Sequence, residues 1–293
     1  MPVSGSLGTM AVLLFETALG GLALLWVAPL WGVVRPGFFK LAGSVLVACA
    51  AIAWVTGRSA LGDAGWTAYA GEPAPTSDPA ALAVTFLGVF ALVMAVWYGL
   101  LWAGWAPRPR PAAAKDGAAP APAVGGGRAL AARVVGIAAL VPGLGAAWLL
   151  AQAGGRPVEG ALALLTGALF LGATVDGLLL GHWYLVDRRL TNRPIAVLAT
   201  WLLASVGAAL VSAALGGDRG ATSINQSLSP LLAVPNLTIW LAVGFVAVVG
   251  LLAWFIRVLV RGGSIQAATG MFYLAVIMAV AAEFSAKVYF FQA

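Results

Sequence analysis

Residues 79–102, PAALAVTFLGVFALVMAVWYGLLW, pass 24 positions without a charged side chain. At ~1.5 Å rise per residue, a helix of that length covers the ~30 Å hydrocarbon core of a bilayer. The apolar residues are continuous rather than alternating, which suits a helix and excludes a strand of a transmembrane barrel. Working outward from this stretch, similar runs occupy 8–34, 38–55, 129–150, 160–185, 194–215, 234–256 and 265–291. The predicted fold class is therefore all-α: a polytopic transmembrane helical bundle of eight membrane-spanning helices, with 1–293 forming a single integral membrane domain.

Composition points the same way, with 62% hydrophobic residues, 9% charged residues and a mean hydropathy of +0.98. A water-soluble fold has no use for so much apolar surface. No Lys or Arg precedes the first span and its apolar run is too long for a signal peptide, so it is expected to remain in the mature protein.

The net charge of +6 raises the question of nucleic acid, but that footprint needs a basic patch on a water-exposed domain. The spans leave no room for one, so no nucleic-acid partner is expected. The cations instead separate by side. Arg35, Lys40, Arg108, Arg110, Lys115, Arg128, Arg133, Arg188, Arg189, Arg193, Arg257 and Arg261 fall on one side of the predicted bundle, against Arg58, Arg156, Arg219 and Lys287 on the other. Lys and Arg are retained in short cytoplasmic loops, which puts the first group in the cytoplasm and both termini on the non-cytoplasmic side. Arg outnumbers Lys by 13 to 3 and Ala and Gly abound, as in GC-rich coding sequence. A bacterial plasma (inner) membrane is the expected location, with membrane lipids as counter-charge and other membrane subunits as expected partners.

Residues 106–127, APRPRPAAAKDGAAPAPAVGGG, read as a flexible cytoplasmic linker between spans three and four. The segment 57–78, with Trp66 and Tyr69, and the segment 216–233 read as the larger outer loops. Cys49 is the only cysteine, so no intramolecular disulfide or thiolate metal cluster can form. A four-plus-four parallel repeat is suggested by Glu16 followed by Arg35-Pro36 and Asp176 followed by Arg193-Pro194. The ordinary preference of Pro for a helix's first turn explains the second part of that match equally well.

Ionisable groups at membrane depth are costly, by ~2.5–3.5 kcal/mol on insertion scales, and face a partner or a wet cavity. Glu16 and Glu283 each lie eight residues inside the same end of their predicted spans, roughly 12 Å deep. Lys287 follows Glu283 at i+4, the favourable order. If spans one and eight pack together, these three residues form a buried charge group in which Lys287 offsets one carboxylate and leaves the other to bind a proton. The plainer alternative is a structural pair, with Lys287 reaching the headgroups. Asp176 sits beside Gly177 and Gly181, a spacing that admits a second helix, and is either bonded across that contact or a further buried-charge site.

The string His182-Trp183-Tyr184-Leu185-Val186-Asp187-Arg188-Arg189 ends span five. His182, Trp183, Tyr184, Asp187, Arg188 and Arg189 are candidates to bind a quinone or a lipid headgroup at the inner interface, against the alternative of ordinary interfacial anchors. One histidine cannot supply two imidazoles to each haem, and neither a zinc-protease motif nor a phosphate loop is present. No catalytic constellation and no metal site is expected, and no intrinsic cofactor beyond a bound quinone or lipid. The first functional expectation is thus a non-catalytic subunit of a bacterial electron-transfer complex. A proton-coupled secondary transporter using the buried carboxylates is the second, and an enzyme acting on lipids the third.

Overall fold

The chain is described here from a computed structural model that covers residues 4–27, 30–31, 33–61, 79–105, 126–187, 190–216 and 237–287. Among the described residues the secondary structure is helical throughout: α1 Ser4–Val27, α2 Pro36–Leu61, α3 Pro79–Leu100, α4 Gly126–Ala138, α5 Leu140–Ala153, α6 Pro157–Val186, α7 Arg193–Gly216, α8 Leu237–Arg261 and α9 Ile265–Lys287. A π-helical turn, Leu101–Trp105, continues α3, and α4 with α5 makes one span. Eight helices are long and apolar enough to cross a membrane. The protein is a polytopic, multi-pass helical membrane protein.

Helix starts follow local chemistry. Pro36, Pro79 and Pro157 each open a helix and Pro194 is second in α7, positions where the missing N–H costs nothing and the fixed φ is already helical. Pro142 acts in the opposite way. It removes the amide that would bond to the carbonyl of Ala138, and the span breaks there, between α4 and α5.

Several ends differ from the sequence expectation: α2 runs on to Leu61 rather than Val55 and α8 to Arg261 rather than Ile256, so Arg58, Arg257 and Arg261 are helical. The first span was expected to reach Val34, but α1 ends at Val27, two residues before Pro29 in the sequence. Leu30 then begins a turn in which its carbonyl accepts from the amides of Val33 and Val34. Glu16 therefore lies near the middle of α1, roughly 18 Å from Ser4 at ~1.5 Å per residue, and not roughly 12 Å from the end. The greater part of the linker, the loops bearing Trp66, Tyr69 and Arg219, and Pro29, Arg188 and Arg189 lie outside the described residues.

At the centre of the bundle α1 and α6 pack side by side and run parallel. Apolar burial does not drive helices together in lipid, so close contact depends on small residues. Gly20 and Gly172 meet that demand: a Cβ on Gly20 would overlap the carbonyl of Ala168, and one on Gly172 would overlap the backbone of Gly20. Around this pair α2 packs on α1, α3 on α2 and α5 on α3, while α7 packs on α6, α8 on α7 and α9 on α8. The second half closes on itself through α9 packing on α6, whereas α5 of the first half packs on α6 rather than on α1. Exposed Leu92, Val141 and Trp240 leave the outside of the bundle apolar, as hydrocarbon requires.

Candidate functional site

The close approach of α1 and α6 decides where charge can be enclosed. Glu16 on α1 and Lys287 and Glu283 on α9 meet against Gly167 of α6, and all three side chains are buried, at 0%, 0% and 1% exposure. Lys287 Nζ donates to Glu16 Oε1 and, at 2.5 Å, to Glu283 Oε2. The i, i+4 spacing stacks Glu283 and Lys287 on one face of α9. Gly167 makes the room, because a Cβ there would overlap the ammonium and crowd both carboxylates.

A fourth helix closes the cluster. Ser212 Oγ on α7 lies 3.0 Å from Glu283 Oε2 and 3.0 Å from the carbonyl oxygen of Ala163 on α6. A hydroxyl has one proton to donate, so it serves one of these acceptors at a time. A proton on the Glu283 carboxyl would let that group donate to Ser212 and leave the serine hydroxyl free for Ala163. Glu16 Oε2 is buried with no hydrogen-bond partner among the described residues. Two carboxylates face one ammonium here, so the fully ionised cluster carries one net negative charge, and one added proton neutralises it.

Asp176 lies on the same α6 stripe as Ala168 and Gly172, at i+4 from the glycine. It is fully buried, and neither carboxylate oxygen has a partner among the described residues. A Cβ built on Gly21 would come within 3.3 Å of Asp176 Oδ1, which places the carboxyl at the α1–α6 seam. Gly177 and Gly181 receive α9 through Phe272 and Thr269, so that close contact belongs to a neighbouring face of α6.

The structure divides the His182 string. His182 is exposed, about 160° around the helix from Tyr184, which is buried and donates to the carbonyl of Thr191 at 2.5 Å. Asp187 is also buried and accepts from Arg35 Nε at 3.0 Å, joining the end of α6 to the start of α2. Trp183 packs its ring on Gly37, and its indole N–H is buried without an acceptor among the described residues.

Sequence reasoning named Glu16, Glu283, Lys287 and Asp176 but passed over Gly167 and Ser212. Ser212 is one of three hydroxyls in its run, with Thr200 and Ser205, and nothing in the sequence set it apart, as nothing set Gly167 apart among 37 glycines. Sequence reasoning also passed over the aromatic cluster at the Arg35 end, where Trp26 meets Trp31 at a tilt and Trp97 edge to face, at ring separations of 4.8 and 5.9 Å. Among the described residues no group of three or more His, Cys, Asp and Glu could hold a metal ion. No known protein family matches the chain, and neither does any curated protein.

Proposed function

We propose that this protein is a proton-coupled secondary transporter whose coupling site is the cluster of Glu16, Glu283 and Lys287. The observation that carries this reading is the cluster's charge count: two carboxylates and one ammonium, sealed from solvent inside a membrane bundle. Buried ion pairs contribute little net stability over an apolar packing of the same volume, so stability alone gives a weak reason for such a group. Ionisable side chains at this depth mark proton or substrate paths in transporters. Ser212 fits the same reading, because a protonated Glu283 can donate to the serine oxygen while the serine hydroxyl serves Ala163.

The test needs no knowledge of the substrate. Full-length protein is reconstituted in liposomes adsorbed on a supported membrane, and the transient current that follows a pH jump is recorded. A proton entering a site within the membrane displaces charge. Wild type is expected to give a current that protein-free liposomes lack, and Glu16→Gln and Glu283→Gln to reduce it at least about fivefold. Wild-type currents in both variants reject the proposal.

A second reading rests on Trp183. A buried indole N–H without an acceptor is a donor that a quinone carbonyl could take, as expected of a subunit in an electron-transfer complex. Trp183→Phe and His182→Ala are then both expected to lower the quinone that copurifies from native membranes. Unchanged quinone in both variants removes this reading.

A further inference from the structure

Two acid sites lie along one seam, separated by a close backbone contact between two glycines. The cluster at Glu16 is on one side of the Gly20–Gly172 contact, and Asp176 is on the other, ~13 Å along α6 from Gly167 at ~1.5 Å per residue. We infer that Asp176 is a second proton-binding site, in series with the cluster and on the Arg35 side of the glycine contact. The inference rests on the transporter reading and adds a second site to it.

The partners of Asp176 distinguish this role from a structural one. An aspartate that ties two helices together bonds across their contact, yet neither oxygen of Asp176 has a hydrogen-bond partner among the described residues. A bare carboxylate in such a place carries a large desolvation cost, whereas the carboxylic acid is neutral. Titratable and cationic groups on the surrounding helices are Glu16 on α1, Lys40, Cys49 and Arg58 on α2, Arg193 on α7, and Tyr273, Glu283 and Lys287 on α9, with Glu159, His182 and Tyr184 on α6 itself. None of them is hydrogen-bonded to Asp176. Loading transfers a proton from hydronium to a carboxylate oxygen of Asp176, forming the O–H bond and releasing water, and unloading is the reverse.

Gly20 and Gly172 then separate the two sites. Backbones in direct contact leave no space for a water file, so a proton on Asp176 stays apart from the cluster until α1 and α6 shift relative to each other.

The experiment uses full-length protein in liposomes, comparing wild type with Asp176→Asn, Asp176→Glu and Glu16→Gln. Infrared difference spectra between high and low pH are expected to contain a carboxylic-acid C=O band that is lost in Asp176→Asn and kept in Glu16→Gln. The same Asp176→Asn protein is expected to lose at least about fivefold of the pH-jump current, with partial recovery in Asp176→Glu. A spectrum that Asp176→Asn leaves unchanged overturns the inference, as does a current of wild-type size in that variant. If Asp176→Asn does not elute as a folded protein, the shift of the band in Asp176→Glu decides in its place. A wild type that gives no current rejects the transporter reading, while the infrared band still decides whether Asp176 binds a proton.

Discussion

Lys287 holds two carboxylates at once, so its removal should be the most damaging single change in the cluster. Taking one partner from a buried ion pair leaves uncompensated charge and costs about 3–5 kcal/mol, and Lys287→Met is expected to fall in that range by unfolding in detergent micelles. Replacing all three charges, as Glu16→Leu, Glu283→Leu and Lys287→Met together, should be much less costly, because packed apolar groups of similar volume stabilise as well as a buried pair. That triple variant should keep only the reduced pH-jump current of the single glutamate variants. A triple variant less stable than the single one would show that the cluster is kept for structure. Gly167→Ala should cost about 1–3 kcal/mol, since its Cβ has no space beside the ammonium. The sequence indicated the three charges because depth along a helix is a one-dimensional count. Gly167 and Ser212 belong to other helices, and their place at the site depends on which faces of α6 and α7 turn inward, which near-uniform apolar runs do not encode. His182 illustrates the converse: a distinctive local string brought His182 to notice, but helical periodicity turns it away from Tyr184.

Glycines of identical composition play opposite parts in different helices. Gly20→Ala in α1 puts a methyl group into the carbonyl of Ala168, and overpacking of that kind costs about 1–3 kcal/mol. Gly244 in α8 has nothing within 4 Å of its Cβ position, so Gly244→Ala should be neutral or gain up to about 1 kcal/mol from helix propensity. Thermal unfolding of the two variants side by side checks the contrast. Equal stability would mean that the α1–α6 contact is looser than described. Element existence was legible because eight apolar runs of span length, with few charges among them, have no alternative in lipid, where every backbone amide must bond within its own helix. Ends were less legible. Residues 28–34 are as apolar as a span, and only Pro29 signals that α1 stops before them. The break in the fourth span follows from Pro142 in the same way, and Pro142→Ala should protect the new amide from hydrogen exchange by returning the Ala138 carbonyl its donor.

On the scale of the whole molecule, the distribution of cations and the path of the helices can be combined. Arg35, Lys40, Arg128, Arg133, Arg193, Arg257 and Arg261 sit at or near the end of the bundle where α1 and α6 finish, and Arg58, Arg156 and Lys287 toward the other. The two halves do not pack alike, since α9 lies closely against α6 whereas α5 scarcely touches α1, but α1 and α6 run parallel at the centre. In the transporter proposed above, movement of α1 against α6 about the Gly20–Gly172 contact would open Asp176 and the cluster to opposite sides. Such a cycle has a direction only if the bundle has a fixed orientation, and the positive-inside rule puts the Arg35 end in the cytoplasm. Two short described turns test this. Arg156 precedes α6 at one end, and Ser264 lies between α8 and α9 at the other. In a Cys49→Ser background, which removes the only thiol, Arg156→Cys should react with a membrane-impermeant maleimide on intact cells. Ser264→Cys should react only after the cells are opened. The reverse pattern would invert the bundle, making the Asp176 side the outer one and the Glu16 cluster the site nearer the cytoplasm. Labelling of both positions in intact cells would break the alternation of helix directions on which both acid sites depend.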